Sequence, residues 1–70
     1  MRDSIKNRLK EFRHSAGLTQ SEVANICELT VASVNRHENG NRLPDKKVLE
    51  KYAKLYGITA LELFINFEEG

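Results

Sequence analysis

Residues 18–40, LTQSEVANICELTVASVNRHENG, hold two helix starts and one helix stop, which leaves room for two brief helices and a tight turn. The first start is a capping box. The Thr19 side chain can accept from the amide of Glu22, and Glu22 can reach back to the amide of Thr19. Val23, Ala24 and Cys27 then fall on one helical stripe. Ala24 is small, and a small residue in mid-stripe lets a second helix cross closely and steeply. Thr30 opens the next helix as its N-cap. Within that helix Val34 and His37 point back toward the stripe, while Val31, Ala32, Asn35 and Arg36 share the opposite face. Asn39 and Gly40 end it, since both residue types tolerate the left-handed conformation of a C-terminal cap.

Two short helices, a turn of about three to four residues and an exposed second helix make a helix-turn-helix. Such a second helix enters the major groove with its N-terminal residues at the base edges, while the helix before it crosses the backbone. The base-contact candidates are therefore Val31, Ala32, Asn35 and Arg36. Arg36 can bond guanine through two donors, Val31 and Ala32 can pack on a thymine methyl, and Asn35 can read adenine or hold a phosphate. The plainer reading of Asn35 and Arg36 is a solvated helix face. Phosphate contacts come from polar groups at helix starts, and the candidates are Gln20, Ser33, Asn39 and Arg42. Ser33 can instead cap locally, and Arg42 can stand in solvent.

This pattern resembles the phage-repressor and Cro-like (lambda-repressor-like) helix-turn-helix family of bacterial and phage transcription regulators. The resemblance rests on Leu18-Thr19-Gln20, the Val23-Ala24 pair, Leu29 and Thr30, the Glu38-Asn39-Gly40 close, and a later Leu/Ala-rich helix ending at Gly57. It covers roughly residues 5–64 and implies an all-α, compact five-helix DNA-binding domain. It also implies a backbone-contacting role for Gln20 and a structural pair of Arg13 with Glu38, tying helix one to the recognition helix. Read without the family, that pair is a surface salt bridge worth about 0–1 kcal/mol. The chain departs from the family twice. Glu28 stands where the turn usually holds glycine, and a left-handed glutamate is strained. His37 stands where the recognition helix usually has an aliphatic residue.

The remaining helices follow from periodicity and caps. Helix one is expected over residues 4–16, with Ile5, Leu9, Phe12 and Ala16 on one face, capped by Asp3 or Ser4 and stopped by Gly17. Residues 41–44 form a connector with Arg42 exposed. Helix four runs over residues 45–56, with Val48, Leu49, Tyr52, Ala53 and Tyr56 inward. Thr59 and Glu62 form a second capping box, which opens a short fifth helix with Leu61 and Phe64 inward. LFINF, residues 63–67, either extends that helix or forms a short strand.

Seventy residues fit one domain, with the core over roughly 5–64 and a C-terminal extension over 65–70. So small a core is marginal unless the helices pack well or the chain oligomerises. Leu63, Ile65 and Phe67 exceed what a five-helix core needs. They either form a two-fold homodimer contact or fold back beside Ile5 and Leu9.

Charge adds little by its sum, a formal +1, and more by its distribution. Residues 1–16 carry five basic and two acidic side chains; residues 62–70 carry three acidic and no basic ones. The acidic end should face away from a phosphate backbone. The one cysteine, Cys27, excludes an internal disulfide and reads as a small core hydrophobe. His37 reads as a satisfied core histidine and His14 as a surface one; their separation matches no metal-ligand spacing. The sequence has no catalytic dyad, Gly-rich phosphate loop or cofactor motif, which argues against an enzyme. No apolar run of membrane-spanning length and no signal peptide appear, so a cytoplasmic location is expected, with no membrane partner. These features point to a regulator of transcription that binds a two-fold operator in double-stranded DNA as a homodimer, a repressor of Cro/C1 type. The alternative is an antitoxin-like or conjugation-control protein-interaction module of the same fold.

Overall fold

The computed structural model describes residues 7–63, which form five helices: α1 (Leu9–Ser15), α2 (Gln20–Cys27), α3 (Val31–Glu38), α4 (Lys46–Tyr56) and α5 (Ala60–Leu63). Local capping chemistry places four of the five starts. The Glu22 amide donates to Thr19 Oγ1 at 3.1 Å and the Thr19 amide to Glu22 Oε1 at 2.8 Å, closing the capping box of α2. Thr30 Oγ1 accepts from the Ser33 amide at 3.0 Å, and Asp45 Oδ1 from the Val48 amide at 3.0 Å. Thr59 and Glu62 repeat the box at α5, at 3.2 and 3.1 Å. Each bond settles an amide that a helix N-terminus would otherwise leave open. Helix α4 stops at Gly57, whose φ of 68° suits a residue without Cβ.

Helix α1 differs from expectation. Residues 7 and 8 are not helical, and the helix begins at Leu9 rather than near residue 4. Asn7 Oδ1 accepts from the Leu9 amide at 3.0 Å, and the Arg8 amide donates to the Leu63 carbonyl at 2.7 Å. An amide spent on α5 cannot also make an i→i−4 bond, so helix and long-range contact exclude each other here. Asp3, Ser4 and Ile5 lie outside the described residues. Ala16 follows the helix and is exposed, not on its inner face.

The core consists of Leu9, Val23, Ala24, Cys27, Val34, Tyr52 and Leu63, with half-buried Phe12, Leu29, Leu49 and Tyr56 among those around it. Helix α2 packs on α3 and α4, α1 on α3, and α4 on α5. The rings of Phe12, Tyr56 and Tyr52 stack in sequence, with centroids 5.9 and 6.3 Å apart. No helix among the described residues is long and apolar enough to cross a membrane.

Helix α5 reverses one assignment and decides between two readings of another. Leu61 is 84% exposed rather than inward, and Leu63 is fully buried rather than free for a homodimer contact. The two are two residues apart, about 200° around a helix, so they cannot share a face. The bond from the Arg8 amide to the Leu63 carbonyl ties that end of α5 to the start of α1. Leu63 is the last described residue and lies in α5, so the LFINF run begins as helix. Phe64, Ile65 and Phe67 lie outside the described residues.

Candidate nucleic-acid interface

Helices α2 and α3 meet through a turn whose pivot is Glu28. It caps α2 in the left-handed conformation, φ 60° and ψ 46°, where the chain has no glycine to relieve the strain. Lys51 on α4 holds this turn: its Nζ donates to the Cys27 carbonyl at 3.2 Å and to Glu28 Oε1 at 3.0 Å. The lysine is not recognisable from sequence spacing, since it reaches the turn from 23 residues away.

The two faces of α3 are chemically opposed. Val34 and His37 are buried, while Val31, Ala32, Asn35 and Arg36 are exposed together. The first turn of α3 has no acidic residue, so the positive end of its dipole is not offset by a carboxylate of its own. Such an end, flanked by a guanidinium one turn on, suits a polyanion.

The phosphate-contact candidates have partners of their own. Gln20 is half-buried, and its Nε2 donates to Glu38 Oε1 at 3.1 Å. Ser33 Oγ accepts from Thr30 Oγ1 at 3.0 Å, so this hydroxyl belongs to the α3 cap. Asn39 Nδ2 donates to Asn35 Oδ1 at 3.0 Å, aligning two exposed amides along the helix. Arg42 is exposed on the connector between α3 and α4.

Behind this face lies the ion pair of Arg13 and Glu38. Arg13 Nε donates to Glu38 Oε2 at 2.6 Å and Nη2 to Oε1 at 3.1 Å, while Nη1 donates to the Leu18 carbonyl at 3.0 Å. The side chains are 10% and 2% exposed, so this is a buried two-pronged pair and not a surface bridge. The hydrogen bond to Glu38 raises the Arg13 pKa further, against the effect of burial. One carboxylate thus gathers α1, the start of α2 and the end of α3. Among the described residues, no three His, Cys, Asp or Glu side chains group to hold a metal ion.

The helix-turn-helix domain family matches residues 7–63. The HTH-type transcriptional regulator ImmR of Bacillus subtilis (strain 168) is 36% identical over 56 residues, 80% of this chain and 44% of that protein. The uncharacterized HTH-type transcriptional regulator YazB of the same organism is 34% identical over 80% of this chain and 81% of its own. The chain spans about half the length of ImmR and of a second relative, the HTH-type transcriptional regulator DdrOP3 of Deinococcus deserti. Among solved structures, the restriction-modification controller protein C.AhdI from Aeromonas hydrophila superposes with a TM-score of 0.74 at 33% identity, over 81% of this chain and 86% of that one.

Proposed function

The chain belongs to the helix-turn-helix family of HTH-type transcriptional regulators, and from this we propose that it binds operator DNA sequence-specifically through α3. The observation that carries the reading is the exposed face of Val31, Ala32, Asn35 and Arg36, on a helix whose other face is locked into the core by Val34 and His37. Arg36 takes the role of base reader, Asn35 of a second polar contact, and Val31 and Ala32 of apolar contacts to thymine methyls. We assign Gln20 and Arg42 to backbone contacts, with Ser33 and Asn39 as lesser ones.

One helix of eight residues makes few base contacts. We therefore place two copies on a two-fold operator with half-sites about 34–36 Å apart. With Leu63 in the core, the apolar candidates for the dimer contact are Ile65 and Phe67, outside the described residues. Sedimentation of Phe67→Ser against the parent tests this; equal masses and equal operator affinity place the contact elsewhere.

The binding test is selection of sites from random duplex DNA, followed by salt titration on the selected operator. Log affinity should fall linearly with log salt, with a slope of about −0.9 per phosphate neutralised by a lysine or arginine. A module that binds only a protein partner would enrich no site and show no such slope.

A further inference from the structure

His37 sits on the inner face of α3, 4% exposed, next in sequence to Arg36. Its Nδ1 lies 2.8 Å from the Tyr52 hydroxyl, and the two rings meet edge-on at 88° with centroids 5.7 Å apart. Tyr52 is itself 1% exposed and stacked on Tyr56, so the hydroxyl is fixed by α4. The His37 carbonyl accepts from Asn7 Nδ2 at 3.1 Å and from the Gly40 amide at 3.1 Å. One histidine therefore joins the DNA-reading helix to α4 through its ring and to Asn7, just before α1, through its backbone.

The arrangement suits a neutral ring. A neutral imidazole can accept the Tyr52 proton at Nδ1; an imidazolium has no lone pair there and must turn the hydroxyl round. It would also place a charge in a nearly closed core. The groups facing the ring are Tyr52 from α4, Asp45 from the N-cap of α4, and Arg42 from the connector, the last repelling a cation and the aspartate attracting one. Cys27 of α2 acts on Tyr52 rather than on the ring, and Arg13 of α1 is engaged by Glu38.

We propose that His37 is a positioning residue and a proton sensor: α3 keeps its DNA-reading position only while this imidazole is neutral, and protonation releases DNA. This rests on the DNA-binding reading above. Burial lowers the His37 pKa below its ordinary 6.5, with Arg42 adding to the effect and Asp45 opposing it. The stabilising contribution is complete above about pH 6.5 and is lost as pH falls from there toward the lower folded value. The sign separates this device from ordinary histidine titration. A surface histidine near DNA would gain charge on acidification and strengthen binding.

The test has an arm with no DNA and an arm with it. Urea unfolding between pH 5 and 8 is compared for the parent chain, His37→Leu, and His37→Gln in case the leucine variant misfolds. Relative to a variant, the parent's folding constant should drop by up to about tenfold per pH unit below about 6.5. Ring NMR should show His37 titrating below the ordinary 6.5 of a histidine. On a DNA duplex selected at pH 7.5, parent affinity should fall over the same pH window while variant affinity does not. Parallel pH dependence of unfolding for parent and variants, or a His37 ring that titrates at or above the ordinary histidine value, overturns the proposal. If the parent binds no DNA at any pH, the DNA reading fails, and the unfolding arm alone then supports or overturns proton sensing by α3.

Discussion

Lys51 Nζ lies 3.0 Å from Oε1 of Glu28, so α4 grips the one described non-glycine residue with positive φ. The grip does not remove the backbone strain, which for a side-chain-bearing residue in this region is of order 1–2 kcal/mol. The ion pair is exposed and contributes about 0–1 kcal/mol. Glu28→Gly should therefore stabilise the domain, by at most about 1 kcal/mol once the lost ion pair and the added freedom of the unfolded chain are subtracted. For a domain this size that is a rise of a few degrees in thermal midpoint by circular dichroism. A lowered midpoint would mean that the Lys51 contact outweighs the strain.

Arg13→Met leaves the Glu38 carboxylate buried with Gln20 as its remaining side-chain partner. Breaking a buried pair from one side costs about 3–5 kcal/mol, most of the stability of a 70-residue domain. The double substitution with Glu38→Leu should recover much of the loss, because both charges are then gone. Urea titration of the two single variants and the double variant measures this directly. A single variant within about 1 kcal/mol of the parent would show the pair to be no stronger than a surface bridge.

Ala24 is 4% exposed where α2 packs on α3 and α4. Ala24→Leu overpacks that site and should cost about 1–3 kcal/mol. An unchanged thermal midpoint would show that the helices have room to separate there, contrary to a close crossing.

Arg36→Ala should weaken binding to a selected operator by about 1–3 kcal/mol and relax the preference at one base position per half-site, with little change on random DNA. Gln20→Ala and Arg42→Ala should instead weaken binding to every sequence, and Arg42→Ala, which removes a cation, should also flatten the salt slope. Fluorescence anisotropy on selected and scrambled duplexes separates the two patterns. Equal operator affinity for Arg36→Ala and parent would remove Arg36 as a base reader.

What the sequence determined is what depends on neighbours along the chain. Thr19 with Glu22, Thr30, Asp45, and Thr59 with Glu62 each bond an amide three residues away, so four helix starts are written in spacing alone. The inward stripe of Val23, Ala24 and Cys27 and the outward set of Val31, Ala32, Asn35 and Arg36 follow from those starts and the helical period, which makes the candidate reading face legible before any fold is known. What tertiary structure decided is where one group had two possible partners. The Arg8 amide could continue a helix or bond the Leu63 carbonyl, and it bonds Leu63, which shortens α1 and turns Leu63 inward and Leu61 out. Gln20 could face solvent or Glu38, and it donates to Glu38. His37 could be predicted to lie inside, but its partner Tyr52 is 15 residues away on another helix. Local spacing holds no record of such choices, because their free energies belong to contacts that exist only once the helices have packed.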